Sequence, residues 1–235
     1  LASYSAVPLE RLAAVVGTGR APVVVDVRPD DEFNADPRLI PGSIRRDARG
    51  VGAWAKPLQG ARVVVVCRDG GTISQAVGAR LRHDGIDAAS LAGGFEAWAA
   101  GNLLTRAAAI PPRGPSGSTT WVTRERPKID RIACPWLIRR FVDPDAVFLF
   151  VEPAAVTAIA EQFKATPFDI EGVFWSHRGE TCTFDTMLAE FGLRSEALER
   201  LALIVRGADT ARLDLAPQAA GFLAASLGLS RLFDS

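Results

Sequence analysis

The chain has 235 residues, 48% of them hydrophobic and 23% charged, with 27 basic residues against 27 acidic ones. This composition is globular and excludes a largely disordered chain. The charge balance argues against a chain-wide polyanion-binding surface and leaves room only for a local basic patch.

The length predicts one to two domains. Three cysteines cannot build a disulfide framework, and none sits in a CxxC pair, so a reducing, cytoplasmic compartment is expected. The longest apolar run, near residues 219–229, is too short to span a bilayer. No leader pattern follows Leu1, and a removed leader ahead of it stays open.

Residues 22–27 and 61–66 are short, β-branched apolar runs that suit strands buried in a mostly parallel sheet. The second run leads into Cys67, Arg68, Asp69, Gly70, Gly71, Thr72, Ile73 and Ser74, after which residues 74–83 are predicted to be helical. A further strand is expected at 87–91. A loop between a strand end and a helix start can turn its backbone amides inward. Those amides and the helix dipole would then cradle an anion and favour a reactive thiolate or persulfide at Cys67. The alternative is a small buried cysteine at a strand end. His83 is read as an exposed helix-end residue without chemistry.

Residues 110–120 are rich in Pro, Gly and Ser and lack any period, which predicts a linker between domains at 1–109 and 121–235. Beyond it, strands are expected at 119–123 and 146–151, and helices at 133–141, 154–162, 183–191, 196–205 and 218–227. The helix at 196–205 has the clearest signal. Ser195 can cap it, Leu198, Leu201, Ala202 and Val205 share a face, and Gly207 can end it.

Three groups in this half carry chemistry. Strand alternation over 122–126 puts Arg124 and Arg126 on one face, where with Lys128 and Arg131 they can clamp an oxyanion. Equally, they can form a solvated edge paired with Glu125 and Asp130. Cys134-Pro135-Trp136 is read as a helix opening, with Cys134 at the positive end or else simply buried, and Trp136, Leu137, Ile138 and Phe141 on the buried side. His177, Cys182 and Asp185, with Glu180 nearby, offer N, S and O donors in a spacing that is not a familiar zinc pattern. With Cys134 or Asp169 they can hold a divalent metal ion, form a redox cluster, or simply pack. Arg206 and Asp209 are read as a structural ion pair and cap.

Several motifs carry a resemblance. These are Val25-Asp26-Val27-Arg28 with Glu32-Phe33, then Ile40-Pro41-Gly42-Ser43, Cys67 with its glycine loop into Ser74-Gln75-Ala76, and Leu91-Ala92-Gly93-Gly94-Phe95-Glu96-Ala97-Trp98. Together they resemble a single-domain rhodanese. The resemblance implies an α/β domain of mostly parallel sheet flanked by helices, with Cys67 as the persulfide-carrying nucleophile and Asp26 and Arg28 in support. Many rhodanese loops place an arginine five residues after the cysteine. Here that position is Thr72, which weakens the case for thiosulfate as donor and argues against phosphatase chemistry.

The second half resembles the C-terminal domain of bacterial chromate-resistance proteins. The resemblance is carried by 121–141 (Trp121, Arg124, Arg126, Lys128, Asp130, Arg131, Cys134, Pro135, Trp136), by Pro167-Phe168-Asp169, by His177 to Asp185 and by Val205 to Asp209. It implies a helix-rich α+β domain, a role in chromate sensing or detoxification, and a chain end short of the family's usual one.

Two functions follow. In the first, the chain is a sulfurtransferase or thiol-redox protein linked to chromate resistance, acting on a small sulfur-containing or oxyanion substrate with a thiol protein as acceptor. In the second, it is a chromate or metal sensor whose rhodanese fold only docks a partner. Neutral charge and the lack of a DNA-reading motif disfavour nucleic acid, and no membrane partner is expected.

Overall fold

The structure, a computed structural model, describes residues 5–107, 111–114 and 117–232. Its backbone divides into two compact units, mainly residues 1–108 and 109–235. Of the expected linker, positions 110, 115 and 116 lie outside the described residues. Within the remainder, Arg113 and Thr119 form an antiparallel bridge.

The first unit is a five-stranded, fully parallel sheet in the order β1-β5-β4-β2-β3. The strands are β1 (Ala6–Val7), β2 (Val23–Asp26), β3 (Ile44–Arg45), β4 (Arg62–Val66) and β5 (Asp87–Leu91). The connecting helices are α1 (Leu9–Ala13), α2 (Asp30–Ala35), α3 (Val51–Trp54), α4 (Thr72–His83) and α5 (Gly94–Ala100). Val24 pairs with Val64 and Val25 with Val65 across β2 and β4.

Alternation then sends successive valines to opposite faces. Val25, Val63 and Val65 pack with Val77, Leu81 and Ile86, while Val24, Val64 and Val66 pack with Leu12, Leu91, Phe95 and Trp98. Both faces are therefore covered, which is why these strands read as unbroken apolar runs. His83 ends α4 and is exposed.

The second unit holds a three-stranded parallel sheet in the order β7-β6-β8, formed by β6 (Thr120–Arg124), β7 (Val147–Val151) and β8 (Thr166–Pro167). Its helices are α6 (Asp130–Leu137), α7 (Val156–Phe163), α8 (Thr183–Glu190), α9 (Glu196–Asp209) and α10 (Ala219–Leu232). Trp121, fully buried on β6, meets Phe168, Trp175 and Phe191 edge-on at centroid distances of 6.1, 5.5 and 6.4 Å. Among the described residues no helix is long and apolar enough to cross a membrane.

Four local expectations are corrected. First, α6 begins at Asp130, because Ile129 takes a left-handed φ of 41° and Asp130 supplies an acidic first turn. Cys134 and Pro135 therefore lie inside the helix, and Cys134 is not at its positive end. Second, Trp136 is 39% exposed rather than on the buried side. Third, β6 ends at Arg124, and exposed Arg126 follows in a turn with φ 53°, so the two do not share a strand face.

Fourth, α9 runs through Gly207 to Asp209. Gly207 serves close approach instead: a Cβ there would lie 3.0 Å from both Ala219 Cβ and Arg212 O. Ser195 Oγ does accept the Leu198 amide that caps α9.

Candidate functional site

In the first unit, Cys67 follows directly on β4 and is 2% exposed. Its carbonyl accepts the Phe95 amide at 2.9 Å, and the Arg68 carbonyl accepts the Glu96 amide at 2.8 Å. The first amides of α5 thus fasten the start of the loop. Gly70 has φ 73°, and a Cβ there would come within 2.5 Å of Leu91 O and 2.8 Å of Gly93 N, so no other residue fits without a shift. Ser74, fully buried in α4, accepts from Cys67 Sγ at 3.1 Å and donates to Gly71 O.

The loop carries an anion of its own. Asp69 Oδ1 accepts the Gly71 amide at 2.8 Å and lies 3.5 Å from Cys67 Sγ. The Gly71 amide and the Cys67 thiol together hold the Asp69 carboxyl below its usual range. Thr72 and Arg68 are exposed, and the Arg68 guanidinium pairs with Glu32 at 3.8 Å and Glu96 at 3.5 Å.

Beside Ile73 lies a cavity of about 690 Å³ lined by Arg45, Arg46, Arg49, Asp30, Asp31 and Asp47 among others. Asp26 and Arg28 form a buried pair at 2.7 Å. Arg28 also reaches the Asp36 and Arg38 carbonyls and lies over the Phe95 ring at 3.9 Å. This pair ties the β2–α2 connection to α5.

In the second unit the candidates separate. Cys182 is the N-cap of α8, where its side chain and that of Asp185 exchange bonds with each other's backbone amides. Asp185 also faces Arg206 Nε at 3.5 Å. Cys134 is fully buried in α6. Burial and Asp130 push both thiols upward, so each stays protonated, and neither lies in the carboxylate–histidine cluster below. The sequence reading of His177, Cys182, Asp185 and Cys134 as one donor set is corrected: of these only His177 lies in the cluster, where Asp169, the donor offered from elsewhere in the chain, joins it.

His177 instead meets three aspartates from distant parts of the chain. Its Nε2 lies 3.1 Å from Asp209 Oδ2, 3.4 Å from Asp130 Oδ2 and 3.5 Å from Asp169 Oδ1. Asp130 is fully buried and accepts the Thr183 amide at 2.6 Å and the Phe184 amide at 3.4 Å. Asp169, held at φ 53°, accepts from Thr183 Oγ1 at 2.9 Å. Arg124 Nη2 donates to the Asp169 carbonyl at 2.8 Å, and Arg131 Nε lies 3.2 Å from Asp169 Oδ2.

Arg124 and Arg131 both bond Asp169, while Arg126 and Lys128 lie exposed in the segment between β6 and α6. Arg206 and Asp209, read as one pair, go to Asp185 and His177 respectively.

The charges respond to this crowding. The hydrogen bond that His177 donates to Asp130, with Asp209 and Asp169 close by, raises His177 to about 9. Burial and the neighbouring carboxylates raise Asp209 to about 6 and push Asp169 upward. Asp130 and Asp209 were not singled out as donors from the sequence. The available signal was that Asp130 lies within, and Asp209 ends, a motif shared with the chromate-resistance proteins.

Comparison with known proteins matches both units. Residues 9–101 match the rhodanese-like domain family, and residues 121–235 match the family described as ChrB, C-terminal domain. Protein ChrB of Cupriavidus metallidurans is 38% identical over 122 residues, covering 51% of this chain and 36% of that protein, so the chain spans about a third of that relative's length. Two solved structures resemble the chain in part. A rhodanese-related protein from Thermoplasma volcanium has 22% identity and a TM-score of 0.38, covering 43% of this chain and 97% of that one. A thiosulfate sulfurtransferase from Pseudomonas aeruginosa has 24% identity and a TM-score of 0.38, covering 43% and 19%.

Proposed function

The chain is a rhodanese-like domain followed by a ChrB C-terminal domain, and from that pairing we propose a sulfur-carrying protein of chromate resistance. In this reading Cys67 takes sulfane sulfur from a persulfide donor rather than from a free dianion such as thiosulfate. The observation that carries it is the Asp69 carboxylate. It sits 3.5 Å from Cys67 Sγ and takes the Gly71 amide that an incoming anion would otherwise use.

With Thr72 exposed at the position of the usual arginine, and Arg68 paired to Glu32 and Glu96, the loop has no cation to offset a dianion. The cavity beside Ile73 mixes Arg45, Arg46 and Arg49 with Asp30, Asp31 and Asp47. That mixture suits a zwitterionic or peptide-borne persulfide.

In the proposed step the Cys67 thiolate attacks the outer sulfur of R–S–SH. The Cys67–S bond forms, the S–S bond of the donor breaks, and R–S⁻ leaves. The thiol proton passes to solvent, and the outer sulfur is then handed to an acceptor thiolate. Ser74 positions the sulfur, and the first amides of α5 hold the start of the loop in place.

Intact-mass spectrometry of the full chain after incubation with cysteine persulfide, and separately with thiosulfate, tests this. The expected result is a gain of one sulfur atom with the persulfide only, lost in Cys67→Ser. No adduct with the persulfide, or an adduct that survives in Cys67→Ser, overturns it.

A further inference from the structure

We propose that Asp130, Asp209 and His177, with Asp169 as a fourth donor, form a binding site for one first-row divalent transition-metal ion in the second unit. This rests on that unit alone and is independent of Cys67.

The first argument is a count of donors. His177 Nε2 faces three carboxylate oxygens, at 3.1, 3.4 and 3.5 Å. One ring nitrogen carries at most one hydrogen, so it can serve only one of the three. The other oxygens face like charge in a mostly buried place, those of Asp130 and Asp169 with only the Thr183 amide and hydroxyl to offset it. A cation at the focus satisfies all of them at once.

The second argument is spacing. Metal–ligand bonds of about 2.0–2.2 Å put adjacent ligand atoms roughly 3.0–3.5 Å apart in octahedral or tetrahedral geometry. The three distances around His177 Nε2 fall in that range, and one ligand atom from each of Asp130, His177 and Asp209 lies within 4.8 Å of the others.

The third argument is the support behind the ligands, which metal sites need to hold their donors in place. Thr183 and Phe184 amides orient Asp130, and the Thr183 hydroxyl orients Asp169. Arg131 and Arg124 flank Asp169 from the other side.

The fourth argument is access. Asp169 and His177 line a cavity of about 450 Å³ together with Arg124 and Ser176. An ion can enter there, and the cavity leaves room beside it for water or a small anion. One imidazole with carboxylates selects manganese, iron, cobalt or zinc over all-oxygen calcium and magnesium sites. The exclusion of Cys134 and Cys182 from the cluster argues against copper(I).

The test uses the full chain stripped with chelator, then titrated calorimetrically with Mn²⁺ and, separately, Co²⁺, with metal content measured after dialysis. One equivalent per chain is expected, weakened roughly 10-fold or more in His177→Ala and in Asp209→Asn, and unchanged in His83→Ala, which removes the other histidine. Circular dichroism checks that each variant keeps its helices. The Co²⁺ spectrum should show ligand-field bands and no thiolate charge-transfer band. Absence of stoichiometric binding, loss in His83→Ala instead of His177→Ala, or a thiolate band each overturns the site.

Discussion

Asp69 and Asp130 each offer a carboxylate to backbone amides at the start of a helix, α4 in one case and α8 in the other. Asp69 is exposed and bonds an amide two residues away. Asp130 is sealed from solvent and bonds an amide 53 residues away. In both places a side chain stands where a helix start would favour an outside anion. The difference in burial decides what the substitution means. Asp69 acts as a local filter over a reactive sulfur, and its removal leaves a loop still fastened by α5. Asp130 joins α6 to α8, and its removal strands buried amides and leaves His177 and two other carboxylates without their common neighbour.

The largest expected effect follows from that contrast. Asp130→Ala should cost the second unit about 3–5 kcal/mol, the range for breaking a buried charged network, whereas Asp69→Ala, at an exposed position, should leave the unfolding midpoint nearly unchanged. Urea unfolding followed by tryptophan fluorescence reads both. Equal losses would mean that burial does not separate the two aspartates.

Next in size is the loop itself. Gly70→Ala forces a Cβ to 2.5 Å from Leu91 O at φ 73°. It should cost about 1–3 kcal/mol and reduce sulfur loading at Cys67 together with it. Full stability in this variant would show that the loop is softer than its contacts with Gly93 and Gly94 imply.

These two regions also differ in how much the sequence disclosed. The first unit was legible because its strands are β-branched runs buried on both faces, and because the loop, its glycines and the fastening segment 91–98 occur in order along the chain. The second cluster was legible only for His177 and Asp169, because Asp130 and Asp209 come from separate segments and meet them only in the fold. His177 drew attention to its sequence neighbours Cys182 and Asp185, but those two cap α8 together. Gly207 signalled a helix end, yet it serves contact with Ala219, and α9 continues to deliver Asp209. The early start of α6 was hidden by Pro135, a residue that usually opens helices and here lies inside one.

Acidity should separate the units by sign. Asp209 and Asp169 are raised, so in the folded state they hold protons that the unfolded chain has already lost. For chelator-treated protein, the second unit should be most stable near pH 4 and should lose stability as Asp209 ionises toward pH 6. His177, raised to about 9, contributes stability that is fully present below its unfolded value of about 6.5 and is lost as pH rises through 9. In the first unit Asp69 and Asp36 are lowered, so their contribution is intact from pH 4 upward and fades only below it. Hydrogen exchange resolved by segment reads each unit alone. A parallel pH course in both units, or a second-unit slope between pH 4 and 6 that survives the joint change Asp209→Asn with Asp169→Asn, would contradict this assignment.

The smallest effect is the most specific to Asp69. Asp69→Asn keeps an oxygen acceptor for the Gly71 amide and removes only the charge. A dianionic disulfide reagent approaching Cys67 should then react several-fold faster, because the like charge across a few ångströms of solvent is gone. A neutral alkylating reagent should change by less than about 2-fold, and the dianion's gain should shrink as salt screens the carboxylate. All three cysteines are buried, so the part of the native signal that disappears in Cys67→Ser is the part that belongs to Cys67. If both reagents accelerate equally, Asp69 acts by opening the loop rather than by its charge, and a free dianion such as thiosulfate becomes an acceptable donor once the loop is loosened.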